Sequence, residues 1–502
     1  MYQETWMNNK GLVEEKEWVN HIKQLNPKTA NLKNAIIQSI EKRIPKQKFG
    51  IMFSGGIDST LIALLCKGHD FICYTAGLEN SQDLEVAKKA AKDLGLTLKH
   101  KTLSLKQAEK IIKQTTKIVG PDTMKVGVGS VFQAVMQLAK KDGIKILFSG
   151  LGSEEIFAGY ERHLNSDDIN EECWSGLKQM WQRDLTRDYQ IAKLNGMSIL
   201  TPFLDDKLIQ TAMAIPGQEK IIKNVKKYPL RIAALSLGLP EEYSFRPKKA
   251  AQYGSRFDKA IEKLTKQNKF KYKADYLKSL FNLGVLFSSG KDSTYSAYLM
   301  RDYNLACLIT IKSENQDSYM FHTPAIDLTK LQAKSMNLPL VIGKTKGKKE
   351  IELKDLEKTI KKAKKKYDLH GIATGALYSN YQRERIEKIC EKLGLMVFSP
   401  LWHIDQEEYV ETLIKSEFKI MIASVAAQGL TDKHVGKIID TSFLNHLKKL
   451  NQKVGLNVAG EGGEYESIVL DCPLFTKQIK LDYKIVKDHH SARLVVVKSV
   501  LA

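Results

Sequence analysis

The sequence predicts an α/β protein made of two tandem modules, each with a doubly wound parallel sheet, the second ending in a β-rich part. Short apolar runs alternate with helical patterns along most of the chain, and this alternation is typical of parallel sheets with crossover helices. A loop of small residues also occurs twice directly after such a run, at residues 54–59 (SGGIDS) and 288–293 (SSGKDS). We therefore expect one such loop in each of two similar modules.

The length of the chain indicates how many domains to expect. A chain of 502 residues is long enough for two or three domains. We predict an N-terminal helical segment (1–45), a first parallel-sheet module (46–258), a charged helical linker (259–282) and a second module (283–502).

Composition and charge indicate the cellular environment of the protein and the classes of partner that it could bind. The six cysteines are scattered without a C-x-x-C pair, which predicts reduced, buried thiols and no zinc site. No apolar run approaches the ~20 residues that span a bilayer, so we expect a cytoplasmic protein without membrane contact. The net charge of +21 is high, but the lysines lie in runs such as residues 361–366 without interleaved aromatic residues. This favours a solvated lysine-rich surface over direct nucleic-acid binding.

The first module alternates apolar runs with helical patterns. Helices are predicted at residues 58–67, 82–94, 105–118 and 130–141. In a parallel sheet, ligands gather at the carboxyl ends of the strands. The loops that follow predicted strands are residues 54–59, 77–79 and 149–155 (SGLGSEE), and they are the first candidates for a binding site.

The second module repeats the pattern. A strand at residues 283–287 leads into the second small-residue loop. Helices are predicted at residues 291–301, 325–336, 353–367 and 405–416, with a further helix opening at residues 379–385. A polar stretch runs to residue 455, and after the glycine-rich residues 457–467 the pattern alternates as strands to residue 500.

Both small-residue loops have the composition of a phosphate cradle. Small residues let the backbone approach a phosphate, and free N–H groups at a helix N-terminus donate to its oxygens. An aspartate inside the loop would repel phosphate, so Asp58 and Asp292 fit best as ligands of a Mg²⁺ ion that bridges protein and polyphosphate. The motif G-x-x-x-x-G-K-[ST] is not met, because five residues separate Gly284 from Gly290 and Asp292 stands at the Ser or Thr position.

The remaining pattern, S-[GS]-G-x-D-S after a strand, resembles the pyrophosphate loop (PP-loop) of the ATP pyrophosphatases, which have the adenine nucleotide alpha hydrolase-like fold. The resemblance implies ATP and Mg²⁺ as cofactors, adenylation of a substrate and release of pyrophosphate. A single hexapeptide is a weak signal, since clusters of Ser, Gly and Asp are usually plain turns. Two copies, each between a strand and a helix, favour the functional interpretation.

Residues 46–258 resemble the synthetase domain of asparagine synthetase. The matching segments include FSGGIDST (53–60), SGLGSEEIFAGYERH (149–163), TPFLDDKLIQTAMAIP (201–216) and KYPLRIAALSLGLPEE (227–242). The resemblance implies that pyrophosphate and Mg²⁺ are held by Ser54, Gly55, Gly56, Asp58, Ser59, Glu154 and Lys227. It implies an adenylate pocket lined by Gly77, Leu78, Ser149 and Gly150.

The first module departs from this family at one central position. The family pattern is S-G-E-G-S-D-E, and Leu151 stands where its acidic residue assists amide formation. Because leucine neither gives nor takes a proton, we expect adenylation of some other carboxylate, or a retained fold with altered or lost catalysis. The N-terminal segment is too short for a glutaminase domain and has Tyr2 in place of a cysteine nucleophile, so we expect no ammonia production in this chain.

Residues 283–502 resemble the diphthine-ammonia ligase family. The matching segments are SSGKDS (288–293), YMFHTP (319–324), SNYQRERIE (379–387), FSPLW (398–402) and NVAGEGGEYESIVLDCPLF (457–475). The resemblance implies a ligase that uses ATP and ammonium to convert diphthine, a modified histidine on translation elongation factor 2, to diphthamide. At Ser289 the family usually has glycine, and we expect pyrophosphate binding to survive unless this residue needs a positive φ.

The candidate residues of the second module form two sets. The nucleotide-binding candidates are Ser288, Ser289, Gly290, Lys291, Asp292 and Ser293, and the catalytic candidates are Glu461, Glu464, Glu466, Asn380, Arg383 and Lys291. Three glutamates beside flexible glycines would repel one another unless a cation such as ammonium or Mg²⁺ lies among them. A guanidinium fork suits phosphate or carboxylate, which favours a role for Arg383. His322 either lines the pocket or is structural, and both alternatives stay open.

Three functions are compatible with these patterns. The main prediction is a diphthine-directed ligase with elongation factor 2 as protein partner. One alternative is asparagine-synthetase-type amidation of a small carboxylate by the first module. The other is an RNA- or ribosome-associated modification or binding protein. The sequence has no cysteine pairs and no recognisable RNA-binding domain, and both absences count against this alternative.

Overall fold

The computed structural model of the chain describes residues 2–247, 250–314, 326–347, 351–488 and 490–502. The chain divides into two compact units, Met1–Leu277 and Lys278–Ala502. In the described residues no helix is both long and apolar enough to cross a membrane. All six cysteines are buried and free, as predicted.

The first unit is built on a five-stranded parallel sheet. After a hairpin of β1 (Met7–Asn8) and β2 (Gly11–Leu12), its strands are β3 (Phe49–Met52), β4 (Phe71–Leu78), β5 (Leu98–Leu103), β6 (Ile146–Phe148) and β7 (Ser198–Leu200). Their order in space is β5-β4-β3-β6-β7, with every neighbouring pair parallel. The order reverses between β3 and β6, and such a reversal is where parallel α/β sheets bind ligands.

The helices of the first unit confirm the predicted alternation. They are α1 (Glu15–Gln24), α2 (Leu32–Glu41), α3 (Ile57–Leu65), α4 (Gln82–Asp93), α5 (Leu105–Val119), α6 (Thr123–Lys141), α7 (Ser153–Ile156), α8 (Glu161–Leu164), α9 (Ile169–Met180), α10 (Thr186–Asn195), α11 (Asp206–Met213), α12 (Gly217–Lys220), α13 (Tyr228–Ser236), α14 (Glu241–Ser244), α15 (Ala251–Gly254), α16 (Phe257–Gln267) and α17 (Lys273–Ser279). A π-helical turn, Trp181–Leu185, joins α9 to α10, and a 3-10 turn spans Pro202–Leu204.

Capping residues explain where several of these helices begin and end. The prediction that α6 starts at residue 130 is wrong, because the Asp122 side chain accepts the Lys125 N–H at 2.7 Å and caps the helix seven residues earlier. In α5, the Ser104 and Gln107 side chains form a reciprocal capping box. The same helix stops at Gly120, whose φ of +82° lies in a region that favours glycine.

The N-terminal segment packs on the first unit. The Arg43 guanidinium is fully buried and donates to both carboxylate oxygens of Glu4 and to Asp205. The indole N–H of Trp6 donates to the Thr201 hydroxyl at 2.8 Å. A buried charge is costly unless it is paired, so the Arg43 cluster fixes this segment against the residues that follow β7.

The predicted linker, residues 259–282, contains most of α16 and all of α17. Phe257, Ile261 and Leu264 of α16 are buried. The compact-unit boundary falls at Leu277, so α16 belongs to the core of the first unit although its sequence is highly charged. Its apolar residues recur at helical spacing between exposed lysines, so one face of the helix is buried although most of its residues are polar.

The second unit repeats the parallel sheet and adds an antiparallel one. Its parallel strands are β8 (Asn282–Leu286), β9 (Asn304–Ser313), β10 (Leu340–Thr345), β11 (Gly371–Ala373) and β12 (Met396–Phe398), in the order β10-β9-β8-β11-β12. The antiparallel sheet has the order β14-β13-β16-β15, from β13 (Lys419–Val425), β14 (Tyr465–Asp471), β15 (Ile479–Lys487) and β16 (Ala492–Leu501). The predicted β-rich C-terminal part is thereby confirmed.

The helices of the second unit are α18 (Lys291–Leu299), α19 (Thr329–Ser335), α20 (Ile351–Tyr367), α21 (Asn380–Leu393), α22 (Gln406–Lys415) and α23 (Thr441–Val454). The stretch before residue 455 was predicted as polar without an element, and α23 corrects this. Its N-terminus is capped by Asp440, and Phe443, Leu444 and Leu447 are buried. The motif at residues 319–324, including His322, lies outside the described residues.

Candidate active site

The second small-residue loop lies between β8 and α18, next to the point where the sheet order reverses. The backbone N–H of Ser288 donates to the Ser293 hydroxyl at 3.1 Å, and the Ser293 hydroxyl donates to the Gly290 carbonyl at 3.2 Å. These bonds close the loop on itself. Gly290 is the N-cap of α18, so the first N–H groups of that helix face the loop, as in anion-binding sites at helix N-termini.

Ser289 has a left-handed backbone conformation, with φ of +73°. The equivalent Gly55 of the first loop has φ of +68°. From the sequence we expect pyrophosphate binding to survive at Ser289 unless this residue needs a positive φ. Ser289 does have a positive φ, so that exception applies. The carbonyl of Ser289 accepts bonds from the Gln332 side chain and the Val469 N–H, which hold the strained conformation.

Lys291 and Asp292 form a partly buried ion pair. The Lys291 ammonium donates to the two carboxylate oxygens of Asp292 at 2.9 and 3.0 Å, and the Tyr409 hydroxyl donates to one of them at 2.7 Å. Burial lowers the pKa of Lys291, but the Asp292 carboxylate outweighs it, so the net pKa is raised and the ammonium stays charged. Asp292 is therefore held in one orientation.

The end of β11 approaches the loop closely. A Cβ atom at Gly375 would lie 2.7 Å from the carbonyl carbon of Asp292 and 2.8 Å from the backbone nitrogen of Ser293. Glycine at this position lets the backbone after β11 lie directly against the N-terminus of α18.

Strand β14 brings the acidic, glycine-rich segment to the same loop. The Ser467 hydroxyl accepts the Lys291 N–H at 3.2 Å. The Gln332 amide bridges the carbonyls of Ser289 and Val469, at 3.0 and 2.9 Å. Residues 457–467 are therefore held beside the loop by β14, although more than 160 residues separate them in sequence.

Two of the three candidate glutamates lie within electrostatic reach of Asp292. Burial raises the pKa of Glu466 to about 7; the Lys291 ammonium opposes this shift and the Asp292 carboxylate adds to it. Burial and the Asp292 carboxylate raise the pKa of Glu461, while the Leu377 N–H, which donates to Glu461 Oε1 at 3.1 Å, opposes the rise. Glu466, with a pKa of about 7 beside an ion pair, is suited to accept and return protons near neutral pH.

Glu464 serves its own loop. Its carboxylate accepts the Gly462 N–H at 2.8 Å and the Asn457 N–H at 3.3 Å. The Asn457 side chain in turn accepts the N–H groups of Ala459 and Glu461. These bonds fix the glycine-rich turn and thereby position Glu461.

Asn380 and Arg383 lie on the first turn of α21. Asn380 is exposed. The Arg383 guanidinium donates to Glu387 at 2.7 Å and stacks 4.5 Å from the Trp402 ring centroid. Among the predicted catalytic residues, these two are therefore placed on a solvent-facing helix surface and not among the contacts that join Lys291, Asp292 and β14.

The loop of the first unit has the same construction. The Ser54 N–H donates to the Ser59 hydroxyl at 3.2 Å, and the Gly56 N–H donates to the Ser54 hydroxyl at 3.3 Å. Gly56 is the N-cap of α3, and Asp58 and Ser59 are buried. Both loops thus lead into a helix N-terminus and place an aspartate on its first turn.

A buried lysine pairs with the loop aspartate here too, but it comes from a distant position. The Lys227 ammonium donates to the two carboxylate oxygens of Asp58 at 2.9 and 3.0 Å, and it lies 2.9 Å from Glu154 Oε1. A Cβ at Gly159 would lie 1.7 Å from Glu154 Oε2, so the backbone lies directly against this carboxylate. Asp58 and Glu154 therefore share the Lys227 ammonium as their ion-pair partner.

The other predicted residues of the first unit divide into two groups. Ser149 and Gly150 line the cavity beside the loop, and a Cβ at Gly150 would lie 2.8 Å from that of Asp58. Gly77 and Leu78 pack away from it: a Cβ at Gly77 would meet the Ser81 hydroxyl at 2.5 Å, and the Leu78 N–H donates to the Ser255 carbonyl. Thr75 and Ala76 of the same strand line the cavity instead.

The sequence did not indicate a buried charged cluster in the first unit. Glu155 is fully buried and accepts bonds from the Tyr160 hydroxyl and the Arg183 guanidinium. Burial raises the pKa of Glu155 to about 7, and Asp184 adds to the rise. Arg183 and Asp184 come from the π-helical turn, a feature often found at functional sites. The only local signal was the second acidic residue of the Glu154-Glu155 pair.

Tyr409 was also missed. It lies on α22, 117 residues from Asp292 in sequence, in a pattern that reads as an ordinary amphipathic helix. Only the fold brings its hydroxyl to the loop.

The described residues contain no group of three or more His, Cys, Asp or Glu side chains that could hold a metal ion. Mg²⁺ is commonly bound by one or two carboxylates together with substrate phosphates. Asp58 with Glu154, and Asp292 alone, fit that mode of binding and not an all-protein cage.

Comparison with known families divides the chain at the same place as its fold. Residues 282–397 match the Diphthamide synthase N-terminal domain, and residues 405–500 match the Diphthamide synthase C-terminal domain. Residues 31–167 and 163–271 match Asparagine synthase.

Individual relatives agree with this division. The human diphthine-ammonia ligase is 37% identical over 40% of this chain and 82% of its own length, and the Bos taurus enzyme is 37% identical over 41% and 85%. A putative glutamine-hydrolysing asparagine synthetase from Methanocaldococcus jannaschii is 32% identical over 48% of this chain, which covers 52% of that protein. Given the coverage of relatives that are 37% identical, together with the two diphthamide synthase domains, the chain belongs to the diphthine-ammonia ligase family.

Proposed function

We propose that this protein is an ATP-dependent, AMP-forming ligase that amidates diphthine on translation elongation factor 2 with ammonium. In this proposal the second module, residues 283–502, carries the reaction, and the first, residues 46–258, is a separate adenylating module. The reaction would take place in the cytoplasm, where the factor works.

One observation carries the proposal. The small-residue loop and the Lys291–Asp292 pair lie at the reversal point of the sheet, where β14 is bonded to the loop. Glu461 and Glu466 lie within electrostatic reach of Asp292. This arrangement supports a cradle for phosphates beside carboxyls that would handle a basic nucleophile. Amide formation from a carboxylate needs both.

The chemistry follows from the poor leaving group of a free carboxylate. Its oxygen attacks the α-phosphorus of ATP, the bond to pyrophosphate breaks, and the acyl-adenylate forms. Ammonia then attacks the acyl carbon and AMP leaves. The protein contributes mainly by positioning and by neutralising charge: the N–H groups of the loop and α18 would hold the phosphates, and Lys291 fixes Asp292.

Mg²⁺ would be held by Asp292 together with phosphate oxygens, and it would neutralise the polyphosphate. In the same scheme Glu466 takes a proton from ammonium, because a carboxyl with a pKa of about 7 accepts a proton readily at neutral pH. Glu461, whose pKa is raised by burial and by Asp292, assists it. Glu464 positions Glu461 through the turn that it stabilises.

The direct test is diphthamide formation by the purified full chain. Diphthine-bearing elongation factor 2, ATP and ammonium are supplied, and AMP, pyrophosphate and the mass of the modified histidine are measured. We expect one AMP for each amide formed, and we expect Asp292→Asn to lower the rate at least 100-fold. Asp302→Asn, an exposed acid in an ordinary ion pair, is the matched control. Amide formation without AMP, or full activity in Asp292→Asn, would refute the proposal.

A second function is favoured by the first unit. Its loop, the Lys227 bridge between Asp58 and Glu154, and the adjoining cavity support a second ATP-dependent adenylation site. ATP binding by this unit is measured with Ser288→Glu, which places a carboxylate where phosphates would enter the other loop. Loss of all ATP binding in that variant would contradict the second function.

A further inference from the structure

The cavity of the first unit is larger than one nucleotide needs. Its volume is about 1480 Å³, whereas pockets for single small molecules usually span about 300–1,000 Å³. Ser54, Asp58, Ser59 and Lys227 line one part of it. The remaining volume has room for a second, sizeable substrate beside ATP.

One wall of this cavity is an apolar face of α6. Its members recur at helical spacing, so they share one side of the helix: Met124, Val128, Val131, Phe132 and Val135. At 1.5 Å per residue the face is about 16 Å long, which exceeds what one nucleobase would cover. The wall therefore offers apolar contact to a second molecule.

Leu151 also lines the cavity, next to the reacting end. It follows Gly150, whose position directly against Asp58 places this loop beside the phosphate cradle. A carboxyl that attacks the α-phosphorus must lie near the same cradle. The atoms attached to that carboxyl would therefore contact Leu151.

The four arginines that line the cavity already have hydrogen-bond or ion-pair partners. Arg162 is paired with Glu172, and Arg231 donates to the backbone carbonyls of Lys226 and Ser244. Arg183 is paired with Glu155 and Asp184. Arg187 donates to Asp184 at 3.0 Å and to Asp188 at 2.7 Å. A second carboxylate on the substrate would compete with these acids for Arg183 and Arg187, and it would be desolvated against apolar side chains.

We propose that the first unit adenylates a monocarboxylate with an apolar or aromatic body, and that it discriminates against dicarboxylates such as aspartate. This inference rests on the proposed adenylation site of the first unit and specifies its substrate class. One carboxylate oxygen bonds to the α-phosphorus, the bond from that phosphorus to pyrophosphate breaks, and acyl-adenylate and pyrophosphate are the products. Leu151 and the α6 face hold the body of the substrate by burial.

The test is ATP-pyrophosphate exchange by the full chain in the absence of elongation factor 2. The Ser288→Glu background keeps the second loop from contributing. Aspartate and glutamate are compared with leucine, phenylalanine, octanoate and benzoate at equal concentrations. We expect at least one apolar monocarboxylate to give exchange at least 10-fold above aspartate. Exchange that is equal or greater with aspartate, or none with any apolar acid while ATP still binds, would overturn the substrate class.

ATP binding itself is measured in parallel, which separates the two proposals. If ATP does not bind to this unit, the adenylation site fails; if ATP binds and aspartate is preferred, only the substrate class fails. Leu151→Glu is expected to shift the preference toward aspartate or other polar acids by at least 10-fold. Leu151→Gln provides a second variant in case a buried charge prevents folding. An unchanged preference in a folded variant at this position would count against the role of Leu151.

Discussion

At the scale of single residues, the second site contains a serine where the backbone favours glycine. Ser289 has φ of +73°, is fully buried, and its hydroxyl lacks a hydrogen-bond partner in the described structure. A left-handed conformation costs an L-residue about 1–2 kcal/mol, and an unpaired buried hydroxyl adds to this. Gly55 occupies the equivalent place in the first loop without that cost.

We expect Ser289→Gly to raise the free energy of unfolding by about 1 kcal/mol, because relief of strain exceeds the entropy lost with glycine. Denaturant titration of the full chain measures this. The reverse change, Gly55→Ser, is the matched control and is expected to destabilise by at least as much, since its Cβ would lie 2.9 Å from Val86 Cγ1. A destabilised Ser289→Gly would show that the strain argument is wrong.

Glu466 is expected to control the pH dependence of amide formation. With a pKa of about 7, it is increasingly ionised as pH rises through neutrality and then accepts the ammonium proton. With saturating ammonium, the rate should rise to half its maximum near pH 7, and Glu466→Gln should lower the maximum at least 10-fold and remove this limb. Glu391→Gln, an exposed acid on α21, is the control. An unaltered profile in Glu466→Gln would contradict the assignment.

The same group makes a prediction for stability. Its pKa is higher in the folded protein than in the unfolded chain, so the folded state binds the proton more tightly. The stabilisation is fully present below about pH 4.5 and is lost progressively as pH rises from there through about 7. At pH 8, Glu466→Gln should therefore be more stable than the natural protein, by on the order of 2 kcal/mol. Nearly equal stability at pH 4 and a gain at pH 8, measured by urea unfolding, is the expected pattern.

At the scale of elements, the closest approach in the second site is that of the β11 end to the start of α18. A methyl group at Gly375 would overlap the backbone of Asp292 and Ser293, which cannot move without moving the loop. Gly375→Ala is expected to destabilise by about 1–3 kcal/mol and to lower diphthamide formation more than 10-fold. Gly394→Ala is a comparison in which strain replaces overlap: Gly394 has φ of +61° and its nearest neighbour is the Lys364 side chain at 3.8 Å, so alanine there should destabilise the chain without lowering diphthamide formation.

The helices and strands also show how much of the fold could be predicted from the sequence. Strands and helices with strong local signals, such as β8, α4 and α5, were predicted nearly in full because caps and apolar runs are local. The helix α23 was missed since polar residues dominate its exposed face, and α16 was read as a linker for the same reason. Contacts such as Tyr409 to Asp292 depend on the tertiary fold, and no local pattern contains them.

At the scale of the whole molecule, one arrangement occurs twice with different residues. In each unit the loop follows the central strand of a sheet with the same order, and a buried ammonium holds the loop aspartate. The second loop carries its own lysine, whereas the first takes Lys227 from a position 169 residues away. The repeated loop can be recognised in the sequence. The pairing of each loop aspartate with a lysine cannot, because Lys291 lies inside its loop and Lys227 lies far from the other loop, so the two lysines share no sequence pattern.

This arrangement predicts two independent ATP sites in each chain. Equilibrium binding of a non-hydrolysable ATP analogue with Mg²⁺ should give two molecules per chain, and one in either Ser54→Glu or Ser288→Glu, since each change places a carboxylate where phosphates must enter. Only Ser288→Glu should abolish diphthamide formation. Because both serines are half-buried at equivalent places in their loops, the two variants control for each other. A single site in the natural chain, or loss of both sites in one variant, would show that the two loops do not act as separate nucleotide cradles.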